Sequence, residues 1–342
     1  MHSDPSHMGE FDLIERFFKN GQSSSPLSTS NPSVRLGIGD DCALIDPPEK
    51  EHIAITTDML VEGRHFFAGA NPEQLGHKAL AVNLSDLAAM GAKPLGFTLA
   101  LALPSTDTTW LEGFSKGLLA LAEHFHCPLI GGDTTAGPLT ISITAIGSIP
   151  LNNPICRSGA KVGDEIWVSG TVGDARLALA ALRHECELPA EDFQIIESRL
   201  HQPTPRIALG LKLRGVANAA LDISDGLLGD LKHILNQSSV NAKIVLARLP
   251  KSSILQKQEG TIQDQFAASG GDDYELCFTA PSENHDVVLD IGKSLNLPIT
   301  CIGKIVPLQK DIPQIELVDL DGNALNRLDA TSLFQSFDHF AK

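Results

Sequence analysis

The chain is short of positive charge: 26 lysines and arginines stand against 42 aspartates and glutamates, a formal net charge of −16. That balance excludes bulk attraction to nucleic acid or to an anionic membrane. It leaves room for a phosphorylated ligand, because a bound divalent cation reverses the local sign. Paired cysteines are missing too. The six cysteines stand at 42, 127, 156, 186, 277 and 301 with no C-x-x-C and no structural-zinc spacing, which reads as a reduced, cytoplasmic protein. Residues 1–8 are polar and hold no apolar signal core, and Ser6-His7-Met8 reads either as native sequence or as a cloning remnant. Asn83, Asp86 or Pro104 interrupts the longest apolar runs, so no transmembrane helix is expected. Two nucleotide fingerprints are also absent. Asp40 and Asp41 follow Gly37 and Gly39 where a phosphate-cradling helix should begin, and Gly292-Lys293-Ser294 has Val287 in place of the first P-loop glycine.

What the chain does hold is enough apolar material for well-filled interiors: 342 residues, 42% of them hydrophobic. Such a length suits two domains of roughly 150–190 residues each. The patterning divides it near Pro150, into residues 1–150 and 151–342, both of α/β character. In the first half a short amphipathic helix is expected over Phe11–Phe18, followed by a mobile serine- and proline-rich stretch from Gly21 to Ser33. Ile53 to Thr57 reads as a strand delivering Asp58 at its end. A helix spans Pro72 to Met90, stopped by Gly91 and Pro94, and a second runs from Trp110 to His124. Strands are expected at 96–103 and 139–146, with Gly131–Thr135 read as a turn. The second half predicts strands at 165–169, 219–223 and 275–279, and helices at 175–183, 207–213 and 226–235.

Carboxylates gather where these elements meet, in short loops flanked by glycine and apolar runs: Gly39-Asp40-Asp41, Thr56-Thr57-Asp58, Gly131-Gly132-Asp133-Thr134-Thr135, Asp222-Ile223-Ser224-Asp225-Gly226 and Gly270-Gly271-Asp272-Asp273. Adjacent carboxylates repel, so an ordered pair such as Asp40 and Asp41 needs a cation or donors unless the turn is simply exposed. Asp86 lies on a helix that is apolar almost all round, three residues after Asn83 and on its face. A buried carboxylate there requires either a metal or a structural hydrogen-bond network. Ser224 or Asp225 could serve merely as a helix N-cap. Capping needs only one of them, and three oxygen-bearing side chains within four residues suit a cation or phosphate. Arginine is scarce near these segments, with Arg64 and Arg157 the nearest candidates, and His65 is a candidate phosphate contact. No side chain stands out as a general base. An acceptor that is itself a phosphate needs none, its oxygen being already ionised.

The words Leu36-Gly-Ile-Gly-Asp-Asp-Cys-Ala-Leu44, Thr56-Thr-Asp58, the run from His77 to Ala92, Leu129-Ile-Gly-Gly-Asp-Thr-Thr135, Asp222-Ile-Ser-Asp-Gly226 and Gly271-Asp-Asp-Tyr-Glu-Leu276 closely resemble bacterial thiamine-monophosphate kinase. The resemblance extends from Gly9 to Phe340. It implies transfer of the ATP γ-phosphoryl group to thiamine monophosphate, directly and in line, yielding thiamine diphosphate. It also implies a two-domain α/β (α+β) fold like that of aminoimidazole-ribonucleotide synthetase, with an N-terminal domain that forms a homodimer. Carried over by position, the resemblance implies magnesium ligation by Asp41, Thr56, Thr57, Asp58, Asp86, Asp133, Asp222 and Asp225. It implies ATP contacts at Gly132, Asp133, Arg157 and Ser224, and substrate contacts at His65, Asp272 and Phe334. Several magnesium ions are expected, and whether potassium joins them is left open. Two positions depart from the pattern: Ala136 stands where many relatives have arginine, and Asp272 where the pattern has glutamate. A selenophosphate synthetase would want a reactive cysteine with a nearby lysine in the Gly21–Ser33 segment, which has neither. A non-catalytic regulator of the same shape would not be expected to keep a carboxylate at every matched segment.

Overall fold

The computed structural model describes residues 13–19, 31–38, 42–325 and Leu333. Asp41 with Gly39 and Asp40, Phe11, most of the Gly21–Ser33 segment and Phe334 lie outside the described residues. The chain divides into two compact units, Met1–Leu87 with Ala92–Leu151, and Ala88–Gly91 with Asn152–Lys342.

In the first unit a helical turn over Ile14–Lys19 precedes a small antiparallel ribbon of β1 (Val34–Leu36) and β2 (Leu44–Ile45). Asn31 is anchored rather than loose: its side-chain amide donates to the Leu95 carbonyl at 2.9 Å. The main elements follow as β3 (Glu51–Val61), α1 (Pro72–Ala89), β4 (Lys93–Leu103), α2 (Thr108–His124), β5 (Leu129–Ala136) and β6 (Thr140–Pro150). Both helices start where sequence chemistry places them. Asn71 Oδ1 accepts from the amides of Glu73 and Gln74, and Asp107 Oδ1 from those of Thr109 and Trp110, satisfying donors that a first turn leaves open. The strands form one sheet in the order β3-β6-β4-β5, with β6 antiparallel to β3 and β4, and β4 parallel to β5.

Alternation then decides which side chains are covered. Ile141, Ile143, Ala145, Phe97, Leu99 and Leu101 are buried on one face, as are Leu80, Leu84 and Leu87 of α1 and Leu111, Phe114 and Leu118 of α2. The other face is open along β3, where Ile53, Ile55 and Met59 are 41%, 66% and 56% exposed. Gly131–Thr135 is the main local surprise. It is extended strand within β5, paired in parallel with β4, rather than a turn. Gly132 makes that pairing possible: its φ is +152°, and a Cβ there would sit 1.9 Å from the Leu99 carbonyl oxygen.

The second unit contains β7 (Glu165–Ser169), α3 (Asp174–Leu182), α4 (Ala190–His201), α5 (Ile207–Leu213), β8 (Ala219–Asp222), α6 (Leu227–Ser238), β9 (Asn241–Val245), α7 (Gly260–Ser269), β10 (Leu276–Ala280), α8 (His285–Leu295), β11 (Ile299–Val306) and β12 (Ile315–Val318). Its six strands run in the order β12-β9-β11-β7-β10-β8, antiparallel except where β12 joins β9. Strands β7, β8 and β10 are buried at every position. Their middles therefore read as consecutive apolar residues rather than as alternating ones, with the polar Glu165, Ser169, Asp222 and Thr279 at or near strand ends. Trp167 and Phe278 stack at 6.5 Å between centroids within that sheet. Gly292-Lys293-Ser294 lies inside α8, so it is no phosphate loop. Among the described residues no helix is long and apolar enough to cross a membrane.

Candidate active site

In the first unit, β3 and α1 bring together Thr56, Asp58, Asn83 and Asp86. The strand turns Thr56 and Asp58 toward the helix-covered face. The Thr56 hydroxyl donates to Asp86 Oδ2 at 2.5 Å. Asn83, 1% exposed, is a two-ended strut: its Oδ1 accepts from the Asp58 amide at 3.0 Å, and its Nδ2 donates to the Ala79 carbonyl at 3.0 Å. The spacing of three between Asn83 and Asp86 thus does two jobs. One residue fixes the backbone at Asp58, and the other meets Thr56.

Thr57 points the opposite way, as the residue after Thr56 in a strand must. Its Oγ1 lies 2.8 Å from Thr144 Oγ1 on the neighbouring strand. An ion held by the side chains of Thr56 and Asp58 therefore meets Thr57 only through its main chain. Asp133 also belongs to the open face: it pairs with Ala100, which pairs with Ser142, which pairs with Met59. Within this unit Asp133 and Asp58 stand at opposite ends of the four-strand order and on opposite faces. Among the described residues no three His, Cys, Asp or Glu side chains stand close enough to hold one metal ion. His65 Nδ1 accepts from the Val61 amide at 2.9 Å, which leaves Nε2 as the protonated nitrogen of the neutral ring. Such a donor suits a phosphate oxygen.

In the second unit, the segment Asp222–Gly226 and the segment Gly270–Glu275 are laced together by their main chains. The amide of Ile223 donates to the Glu275 carbonyl, that of Tyr274 to Ile223, and that of Asp272 to Ser224, each at 2.8 Å. This lacing brings Asp222, Ser224, Asp225 and Asp272 into one neighbourhood. Asp222 is 7% exposed at the end of β8, while Ser224, Asp225 and Asp272 are half-buried. Asp272 and Tyr274 both adopt left-handed backbone, with φ of 67° and 49°.

Asp230 was not among the sequence-derived candidates, yet it organises the first of these segments. Its Oδ2 accepts from the amides of Ser224, Asp225 and Gly226 at 3.0, 3.0 and 3.1 Å. Burial pushes its carboxyl up to about 7, against the pull of those three amides, and the nearby Asp225 carboxylate adds to the rise. The available signal was an acid in the first turn of a helix that follows an acidic loop. Glu275 was likewise missed. It is 0% exposed and is held by Arg199, Arg206 and Ser169. Burial alone would lower the Arg199 guanidinium, but Glu275 and Asp273 hold it above its ordinary value. Arg157 stands exposed on a 3-10 turn, Arg157–Gly159, whose main chain is tied down by Ser238: the Ser238 hydroxyl donates to the Arg157 carbonyl at 2.9 Å and accepts from the Ala160 amide at 3.1 Å. Asp41 and Phe334 lie outside the described residues.

Comparison with known proteins gives the same outline. The AIR synthase related protein family matches in two parts, its N-terminal domain over residues 39–149 and its C-terminal domain over residues 161–316. Thiamine-monophosphate kinase of Haemophilus influenzae is 46% identical over 334 residues, covering 97% of this chain and 98% of that protein. A crystal structure of thiamine-monophosphate kinase from Stenotrophomonas maltophilia superposes with a TM-score of 0.80 at 43% identity, over 87% of this chain and 94% of that one. AaThiL complexed with AMPPCP and TMP superposes with a TM-score of 0.71 at 30% identity, over 93% of this chain and 95% of that one.

Proposed function

This chain belongs to the thiamine-monophosphate kinase family, and from that premise we propose how its residues carry the reaction. The protein is an enzyme that uses ATP to phosphorylate thiamine monophosphate, yielding thiamine diphosphate. The observation that carries the residue assignments is the lacing of the 222–226 and 270–275 segments, which keeps Asp222, Ser224, Asp225 and Asp272 together.

The donors fit magnesium: every candidate is a hard oxygen ligand, and the half-buried and buried carboxylates Asp86, Asp58 and Asp222 are costly unless a cation or donors face them. In this reading Thr56, Asp58 and Asp86, with the main chain at Thr57, hold magnesium in the first unit, and Asp222 and Asp225 hold it in the second; Asp133, on the open face, and Asp41 are separate magnesium contacts. When bound, the cations offset the charge on ATP and on the transferring oxygens. Gly132, Arg157 and Ser224 contact ATP. Arg157 presents its exposed guanidinium as a phosphate fork from a turn pinned by Ser238. His65 donates from Nε2 to the acceptor phosphate, and Asp272 places a carboxylate against the cationic part of the thiamine, with Phe334 completing that contact. No side chain needs to remove a proton, since the attacking oxygen belongs to an ionised phosphate.

The open face of β3, with Ile53, Ile55 and Met59 exposed, supports a homodimer formed through this sheet. The reaction is tested with γ-labelled ATP and thiamine monophosphate, with and without magnesium. Label should enter thiamine diphosphate only when magnesium is present. Label that entered free thiamine and left thiamine monophosphate untouched would overturn the substrate assignment.

A further inference from the structure

The second unit contains a buried ionic node that none of the site assignments uses. Glu275 is 0% exposed. Arg206 grips both of its oxygens, Nε donating to Oε2 at 2.7 Å and Nη2 to Oε1; Arg199 Nη2 donates to Oε1 at 2.7 Å, and the Ser169 hydroxyl to Oε2 at 2.6 Å. The carboxylate is thus met by two cations and a hydroxyl. Space has been left for it: Gly170 has φ +60°, and a Cβ there would fall 2.2 Å from Glu275 Oε1.

The node is joined by main chain to the site. The Glu275 carbonyl accepts from the Ile223 amide, one residue from Asp222 and Ser224. Two residues before Glu275, buried Asp273 accepts from the Gly173 amide at 2.8 Å through Oδ2, while its Oδ1 has no hydrogen-bond partner among the described residues. Arg199 Nη2 also reaches the Asp273 carbonyl at 3.4 Å. Asp273 and Glu275 therefore point inward and are anchored, and they alternate with Asp272 and Tyr274, which both adopt left-handed backbone. An L residue leaves that conformation when nothing holds it. The anchors on either side are what hold it here.

We propose that Glu275, clamped by Arg199 and Arg206, is a positioning residue that sets Asp272 for the substrate and, through the Ile223 amide, sets the Asp222–Gly226 segment for the nucleotide. The proposal rests on the assignment of Asp272 as a substrate contact. Glu275→Gln keeps shape and volume but takes from the part-buried Arg206 guanidinium its counter-charge and leaves Arg199 with Asp273 alone of the two acids that hold it. On variant enzyme shown to be folded at the assay temperature, the affinity for thiamine monophosphate read by calorimetry without magnesium should fall about 10- to 100-fold, the range that loss of an orienting partner costs at metal sites. kcat should fall as well, and Asp272→Asn should weaken the same binding without lowering the melting temperature comparably. Arg206→Lys, which keeps the charge but loses the two-point grip, should fall between wild type and Glu275→Gln.

A Glu275→Gln protein with a lowered melting temperature but kcat, KM and thiamine monophosphate affinity within about twofold of wild type would make the node purely structural and overturn the proposal. Failure of both Glu275→Gln and Arg206→Lys to fold would overturn it too, by making the node a requirement of the fold rather than of the site. Wild-type enzyme that binds no thiamine monophosphate would instead refute the substrate reading, and unchanged binding in Asp272→Asn alone would refute the Asp272 assignment.

Discussion

Asp230→Ala removes the acceptor shared by three consecutive amides, those of Ser224, Asp225 and Gly226. The Gly226 amide is buried and has no route to water, whereas Ser224 and Asp225 are half-buried and regain part of their hydration. One fully stranded donor costs about 1–3 kcal/mol and two partly stranded ones about half as much each. Losing an acid from the first turn of α6 adds about 0.5 kcal/mol. Against these stands the relief of a desolvated carboxylate, whose rise to about 7 records how poorly burial suits its charge. The net expectation is a loss of about 2–3 kcal/mol in urea denaturation. The pH dependence sharpens it. Because the folded protein holds the Asp230 proton up to about 7 and the unfolded chain releases it near the ordinary value of 3.8, the stability that Asp230 supplies is complete below the lower value. It declines as pH rises through that window and then levels off. In chelator, the gap between wild type and Asp230→Ala should therefore be larger at pH 5 than at pH 8. At fixed ATP, the magnesium concentration for half-maximal activity should also rise about tenfold. A variant within about 0.5 kcal/mol of wild type at both pH values, with an unchanged magnesium requirement, would refute this reasoning.

Other consequences are equally direct. Thr56→Val keeps the strand-forming shape but removes the hydroxyl that donates to Asp86; it should cost about 1 kcal/mol in denaturation and more in kcat than in the KM for thiamine monophosphate. Gly132→Ala drives a methyl into the Leu99 carbonyl, so it should destabilise by about 3 kcal/mol or prevent folding, as circular dichroism would report. Ile55→Asp, at the open face of β3, should convert a dimer to a monomer in sedimentation velocity while leaving the helix content unchanged. A dimer that survived this change would place the interface elsewhere.

Legibility followed the range of the physical signal. Helices α1 and α2 could be read because their caps and stops are local: Asn71, Asp107 and Gly91 act on neighbours within four residues. Strand β7 was legible from the consecutive apolar residues Ile166, Trp167 and Val168. β9, β11 and β12 were not, since Asn241, Lys243, Gly303, Lys304 and Glu316 are residue types depleted in strands, which only cross-strand pairing accommodates here. Gly131–Thr135 looked like a turn for a related reason: its glycines permit turning, but the backbone approach to Leu99 uses that freedom for pairing instead. Asp86 and its helix face were evident from periodicity, and its partner Thr56, 30 residues away, was not.

By itself, the order of the residues determined the family, the chemistry and the acidic segments, because these reside in contiguous words whose meaning survives without coordinates. Only the tertiary structure decided that Thr56 meets Asp86 while Thr57 meets Thr144, that Asp133 shares the open face with Met59, and that Asp230 and Glu275 hold the loops carrying the assigned site residues. Each of those depends on pairing register or on a contact between residues far apart in the chain. A hydrogen bond from Arg206 to Glu275 spans 69 positions, and no local pattern encodes which distant partner a buried charge will meet.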